Sequence, residues 1–268
     1  MNRGMNILER TALALGFAFL YAPVLLLILY SFNESRLVTV WGGFSFRWYA
    51  ALWGDEALLQ SLCISLRVAF AAAALAVILG AAAALALARF GAFRGRTLFT
   101  MMLLAPLAAP EIILGLSLLL LFVALGVPRG FWTIVLSHAT MGMCFVAVLV
   151  HAKLQSLDPA LEEAAMDLGA SPLQAFVRVT LPLAAPALFA GYLLAFTLSL
   201  DDFVLASFTS GPGSTTLPMR VYSQVRLGVS PEINAISTLM IAAVALMLTM
   251  AAVFSHVWRK NAAPGGGG

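Results

Sequence analysis

Charge is what this chain has least of: Asp, Glu, Lys and Arg make up 10% of its 268 residues, and lysine occurs only at Lys153 and Lys260. Neither lysine follows a glycine, so the chain has no Gly-Lys-Ser/Thr loop to cradle a phosphate and cannot itself be an ATPase. His-Glu-X-X-His and Gly-X-Ser-X-Gly are also missing, which leaves zinc or serine hydrolysis without a motif. His138 and His151 stand thirteen residues apart on one apolar run, too far to share a metal. His151, beside Lys153, is expected to stabilise the C-terminus of its helix. The 2 cysteines, Cys63 and Cys144, sit in or beside apolar runs and read as small core residues, not as a disulfide. A net charge of +3, spread along the chain, gives no patch for nucleic acid.

What the chain has in abundance is apolar surface, with 62% hydrophobic residues and a mean hydropathy of +0.98. Uncharged runs cover 11–33, 68–88, 130–152, 179–200 and 233–258, and a sixth, 97–128, is interrupted only by Glu111. At 1.5 Å per residue each can cross a hydrocarbon core of roughly 30 Å. The expectation is an all-α membrane protein, one domain over 1–268, with six transmembrane helices at about 11–33, 66–88, 98–125, 131–152, 181–205 and 233–258. The first run is too long for a signal-peptide core and reads as a true span. With the N-terminus inside, Arg3, Arg10, Arg89, Arg94, Arg96, Lys153, Arg178, Arg259 and Lys260 are cytoplasmic. Outside are Arg36, Arg47, Arg129, Arg220 and Arg226, with Arg67 at a span boundary; nine against five puts both termini inside. Trp41, Phe44, Trp48, Tyr49 and Trp53 then form an outer interfacial belt, with an external partner as the alternative. Alanines in 69–88 with Gly80 make a small-residue surface for close helix packing. The tail 261–268 reads as flexible.

Three carboxylates fall inside apolar runs: Glu111, Asp201 and Asp202. An ionised group at the bilayer centre costs about 2.5 to 3.5 kcal/mol, so such residues face a cavity or a partner. Counted along straight helices, Glu111 lies roughly 20 Å from the cytoplasmic end of its span and Asp201 roughly 30 Å from the start of its own. Pro106 and Pro110 each remove a helical hydrogen bond before Glu111 and free a carbonyl. Carbonyls and a carboxylate favour cations; the alternative is a kink whose Glu111 is protonated or satisfied by a neighbouring helix. One of Asp201 and Asp202 could face a path while the other pairs with a helix end, Arg220 or Arg226. Ser230-Pro231-Glu232 reads as the cap and first turn of the sixth span.

The loop 153–180 is an amphipathic hairpin. Asp158 can cap a helix with Pro159 at its first position, and Leu161, Ala164, Ala165 and Leu168 make one apolar stripe. Gly169 ends that helix in the left-handed conformation. Ser171-Pro172-Leu173-Gln174 is a capping box for a second helix that must stop or bend at Pro182. Glu163-Ala164-Ala165-Met166-Asp167-Leu168-Gly169, ending in Val179-Thr180-Leu181-Pro182, resembles the EAA loop of permease subunits in binding-protein-dependent ABC importers. Phe196-Thr197-Leu198-Ser199-Leu200-Asp201-Asp202-Phe203, Gly211-Pro212-Gly213, Thr215-Thr216-Leu217-Pro218, Pro110-Glu111-Ile112-Ile113, Gly115-Leu116-Ser117-Leu118-Leu119 and Tyr30-Ser31-Phe32-Asn33 resemble the second permease subunit of spermidine/putrescine importers. Val38-Thr39-Val40-Trp41 leans toward its putrescine-specific members.

The resemblance covers residues 11–258 and implies the type I ABC importer permease fold in a bacterial inner membrane. It also implies an ATPase subunit dimer, a second permease subunit and a periplasmic polyamine-binding protein as partners. ATP and Mg would sit on the ATPase, with no cofactor on this chain. Glu163, Ala164, Ala165, Asp167, Leu168, Gly169, Leu181 and Pro182 would couple to the ATPase, and Glu111, Asp201 and Asp202 would line the substrate path. The EAA loop is shared by importers of many cargoes, so ferric iron or an oxyanion remains an alternative. A membrane enzyme using Asp201 or Asp202 as acid or base is the rival from another class, without a second catalytic group at a recognisable spacing.

Overall fold

The computed structural model describes residues 6–37, 40–227 and 231–262, so Val38, Thr39, Ser230 and the glycine tail, each given a role above, lie outside the described residues. The described residues are helical apart from turns, loops and one isolated bridge, Asn33 to Phe44. They fall into two compact units, one within Met1–Leu59 and Val221–Ala252, the other within Gln60–Arg220 and Val253–Gly268.

In the first unit, α1 (Ile7–Tyr30) buries no residue and presents apolar side chains all round, as a lipid-facing span does. It stops three residues short of the expected boundary at 33 because Asn33 organises a loop instead. The Asn33 side chain accepts from the Ser35 and Gly42 amides and donates to the Val40 carbonyl. The short α2 (Arg47–Leu52) follows. Trp48, only 5% exposed, donates its indole N–H to the Asn33 carbonyl at 2.6 Å, and Tyr49 shares a hydrogen bond with Ser31. Phe32 stacks on Phe44 with ring centres 5.1 Å apart. The expected belt is therefore corrected in part: Trp48 and Tyr49 hold the loop together, while Trp41, Phe44 and Trp53 remain exposed. At the other end of the unit, α12 (Pro231–Ala262) starts with Glu232 in its first turn.

The second unit is built on α3 (Glu56–Arg89), α6 (Phe131–Gln155) and α9 (Leu181–Asp201). α3 begins well before its apolar run, so Arg67 is inside the helix and not at its boundary. Ala73, Ala76 and Ala84 pack with Val146, Val150, Leu154, Ala184 and Ala195 in one buried cluster. Small residues set the spacing, since a Cβ on Gly80 would come within 2.7 Å of the Met143 carbonyl and one on Gly142 within 3.2 Å of Ala195. Cys144 is buried there, whereas Cys63 is exposed and not a core residue.

The expected third span is not one straight helix. It consists of α4 (Arg96–Ala108) and α5 (Glu111–Ala124), bent by 115° across the two residues between them. Ala109 is extended because it precedes Pro110, whose ring excludes the helical region for its predecessor. Pro106 stays buried inside α4. Among the described residues five helical segments are each long and apolar enough to cross a membrane, and the bent pair makes six if it counts as one broken span.

Gly80→Val is expected to destabilise the unit by about 1 to 3 kcal/mol, the usual cost of overpacking, lowering the thermal aggregation midpoint in detergent. Gly16→Ala, with nothing within 4 Å of the added carbon, should leave the midpoint unchanged.

Candidate functional site

Two groups of residues are candidates. The first is the hairpin between α6 and α9. Asp158 caps α7 (Ala160–Asp167), its Oδ1 accepting the Ala160 amide at 3.0 Å. The helix ends as expected at Gly169, whose φ is +92°. The Ala170 amide donates to the Ala165 carbonyl and the Gly169 amide to the Met166 carbonyl, the paired bonds of a Schellman turn. Ser171 and Gln174 then exchange both bonds of the capping box that opens α8 (Pro172–Ala175). Leu168 is 91% exposed, and Leu161 and Leu173 are exposed with it, so among the described residues the two leucines of the apolar stripe are left largely uncovered. Glu163 and Asp167 are exposed on the same short helix.

Of the stop or bend expected at Pro182, the stop does not occur. A π turn at Phe176–Thr180 carries the helix from α8 straight into α9, with the Leu181 amide bonded five residues back to Phe176. The extra residue in the turn shifts the hydrogen-bond register just before Pro182, the second residue of α9, so the proline is accommodated without ending the helix.

The second group lies where α9 ends. Asp202 leaves the helix in an extended conformation, so Asp201 and Asp202 do not share a helical surface. Asp202 Oδ1 accepts the Ala206 amide at 3.0 Å in the first turns of α10 (Val204–Thr209) and stands 3.3 Å from His138 Nε2. That approach is at ion-pair distance but not aligned as a hydrogen bond. The other ring nitrogen of His138 shares a 2.6 Å hydrogen bond with Ser199. His138 and Asp202 side chains are only 2% and 11% exposed. The pairing expected for one aspartate with a helix end is thus made by Asp202, while Arg220 of the same unit forms no ion pair with it.

Packing of α5 against α10 brings Glu111 to the same place, and a Cβ on Gly115 would meet Phe208 at 2.5 Å. Asp201 is exposed and close enough to Glu111, Asp202 and His138 to feel their charges. The three expected carboxylates are therefore brought together, with Glu111 at the exposed first turn of α5, where the helix dipole favours a negative charge. Among the described residues no three of His, Cys, Asp and Glu are disposed to hold a metal ion.

The family model for the binding-protein-dependent transport system inner membrane component matches residues 76–261. The chain belongs to that family. It is 56% identical to the putrescine transport system permease protein PotI of Escherichia coli K12, over 88% of this chain and 86% of that one. It is 43% identical to the spermidine/putrescine transport system permease protein PotC of the same organism, over 84% of this chain and 85% of that one. Its fold matches a chain of a bacterial ABC transporter involved in the import of the acidic polysaccharide alginate, with a TM-score of 0.74 at 21% identity over 92% of this chain and 95% of that one. The chain is thus a transport subunit with the permease fold.

Two sets of residues escaped the sequence reading. His138 stands in the sequence only as a histidine too far from His151 to share a metal, and Ser199 only as one residue of the run Phe196–Phe203, so neither points to the other. Glu162 was passed over beside Glu163, yet Glu162 makes the contacts: Oε1 accepts Arg89 Nε at 3.0 Å and the Thr180 hydroxyl at 2.7 Å.

Asp202→Ala removes the α10 cap and leaves His138 without its neighbour. It should destabilise by about 1 kcal/mol for the cap alone. Asp202→Asn, which keeps an acceptor for Ala206, should recover most of that loss in thermal unfolding.

Proposed function

We propose that this permease moves a polyamine, putrescine or spermidine, into the cytoplasm, driven by ATP hydrolysed on a partner ATPase. The observation that carries the cargo is the convergence of Glu111, Asp201 and Asp202 at the α9–α10 break. Putrescine carries amines with pKa near that of lysine, about 10, and is a dication at neutral pH. Exposed carboxylates at Glu111 and Asp201 offer it charge-assisted bonds. His138 holds Asp202 back as a structural group, so Glu111 and Asp201 are the cargo-facing pair. The polyamine permeases among the relatives support this reading over ferric iron or an oxyanion.

The same reading makes 1–268 one permease domain of a bacterial inner membrane with both termini cytoplasmic. It works with a second permease subunit, an ATPase dimer and a periplasmic polyamine-binding protein. ATP and Mg bind the ATPase, and this chain carries no cofactor. The stripe of Leu161, Ala164, Ala165 and Leu168 on α7 packs into a cleft of the ATPase, with Glu163 and Asp167 meeting basic residues there. Leu181 and Pro182, at the base of α9, pass the motion to the membrane helices.

Radiolabelled putrescine uptake into proteoliposomes holding the assembled complex tests the cargo. Unlabelled diamines should compete and anions should not, and competition by anions would sink the polyamine reading. Glu111→Gln should lower uptake about tenfold, the size of one charge-assisted hydrogen bond, with the complex still assembled. For the docking role, Gly169→Val forces a β-branched residue to a φ of +92°. Uptake should be abolished with the spans still inserted, and normal transport would refute the role.

A further inference from the structure

Adjacent residues on a helix point about 100° apart, so Glu162 and Glu163 cannot serve the same surface. Glu163 is exposed, whereas Glu162 turns back into its own chain. One carboxylate oxygen of Glu162 accepts from two helices at once. Arg89, the last residue of α3, donates Nε at 3.0 Å, and Thr180, at the end of the π turn that feeds α9, donates its hydroxyl at 2.7 Å. Arg89 and Glu162 are 73 residues apart in sequence, so this is a tertiary tie and not a local cap. Both ion-pair partners are mostly shielded, with side-chain exposures of 17% and 25%, and Thr180 is 1% exposed. Shielding raises the value of the pair above that of a surface salt bridge.

Thr180 strengthens the case. A helical threonine ordinarily returns its hydroxyl to a carbonyl one turn back, as Thr140 and Thr197 do here. Thr180 gives its proton to Glu162 instead, at the one π turn among the described helices. π turns of this kind mark functional sites more often than ordinary helix does.

We infer that Glu162 is a positioning residue that clamps α7 to α3 and α9, so that displacement of α7 moves two membrane helices as one body. The inference rests on the proposed docking of α7 to an ATPase. Its signature is a change in efficiency: without the clamp, the ATPase still binds and turns over, but fewer polyamines move per ATP. Coupling free energies between sites are typically 1 to 3 kcal/mol, or about 5- to 150-fold.

The test uses the full complex in proteoliposomes, reading putrescine uptake, ATP hydrolysis and co-purification of the ATPase. Glu162→Ala should cut the uptake-to-ATP ratio roughly tenfold with co-purification intact. The reversed pair Glu162→Arg with Arg89→Glu should regain at least part of it. An unchanged ratio in Glu162→Ala overturns the clamp, as does loss of ATPase co-purification, which would move Glu162 to the docking surface. Should Glu162→Ala fail to assemble, Thr180→Val removes one bond from nearly the same volume. A lowered ratio in that variant supports the clamp and an unchanged one overturns it. Leu168→Ser probes docking separately: if the ATPase co-purifies as well with it as with the wild type, the docking reading fails whatever the ratio in Glu162→Ala.

Discussion

Satisfying polar groups away from water is the constraint on which the rest of this structure depends. In hydrocarbon a helix meets it automatically, because each backbone donor finds a carbonyl within its own segment. Wherever the chain departs from α-helix inside an apolar run, some side chain must take over. Departures among the described residues include the bend at Ala109–Pro110, the end of α9 at Asp202 and the π turn at Phe176–Thr180. At the bend Glu111 stands at the freed N-terminus of α5; at the second Asp202 caps α10; at the third Thr180 leaves its helix to bond Glu162. Carboxylates thus gather where regular structure fails, and at the end of α9 one of them does backbone work, Asp202 accepting the Ala206 amide.

Close packing lets those breaks be held in place. Alanine and glycine along α3 and α6 let backbones approach until contact is made atom to atom, and such contacts offer few alternative registers. Within that frame Thr133 can reach from α6 to the Thr209 carbonyl at the end of α10, and Ser65 can accept the Leu217 amide. Each of these bonds joins residues far apart in sequence, and each ties the end of a shorter helix to a long one.

Much of the hairpin was legible in the sequence because its signals are local. Asp158 before Pro159, Gly169 at the C′ position and the Ser171–Gln174 box each act within one helical turn, and each is found in the bond expected of it. The alanine-rich face of α3 was legible for the same reason. What could not be read is what depends on distant residues. Pro182 promises a break, but one extra residue in a π turn absorbs it. Trp48 promises an interfacial ring, but the Asn33 carbonyl claims its N–H. Nothing in the sequence links His138 to Ser199, and their pairing arises only once α6 and α9 lie together. The length of an apolar run likewise predicts a span and not its shape, so the 115° bend of α4 against α5 followed from Pro110 only in kind.

The two carboxylate pairs of this chain divide labour in the same manner. In Glu162 and Glu163, and again in Asp202 and Asp201, one neighbour is folded into the structure and the other is left free. On α7 the helical angle alone separates the two, since 100° of rotation places one toward α3 and the other toward the surface. At the end of α9 the helix would have held both aspartates on adjoining faces, and only the turn of Asp202 into an extended conformation commits it to His138 and Ala206. A buried, bonded acid is a poor ligand for a passing cation because its lone pairs are already taken. An exposed one with like charges beside it gains most from a dication, which relieves repulsion on arrival. By that reasoning the free members, Glu163 and Asp201, are the ones left open to other groups, while their bonded neighbours fix the local geometry around them.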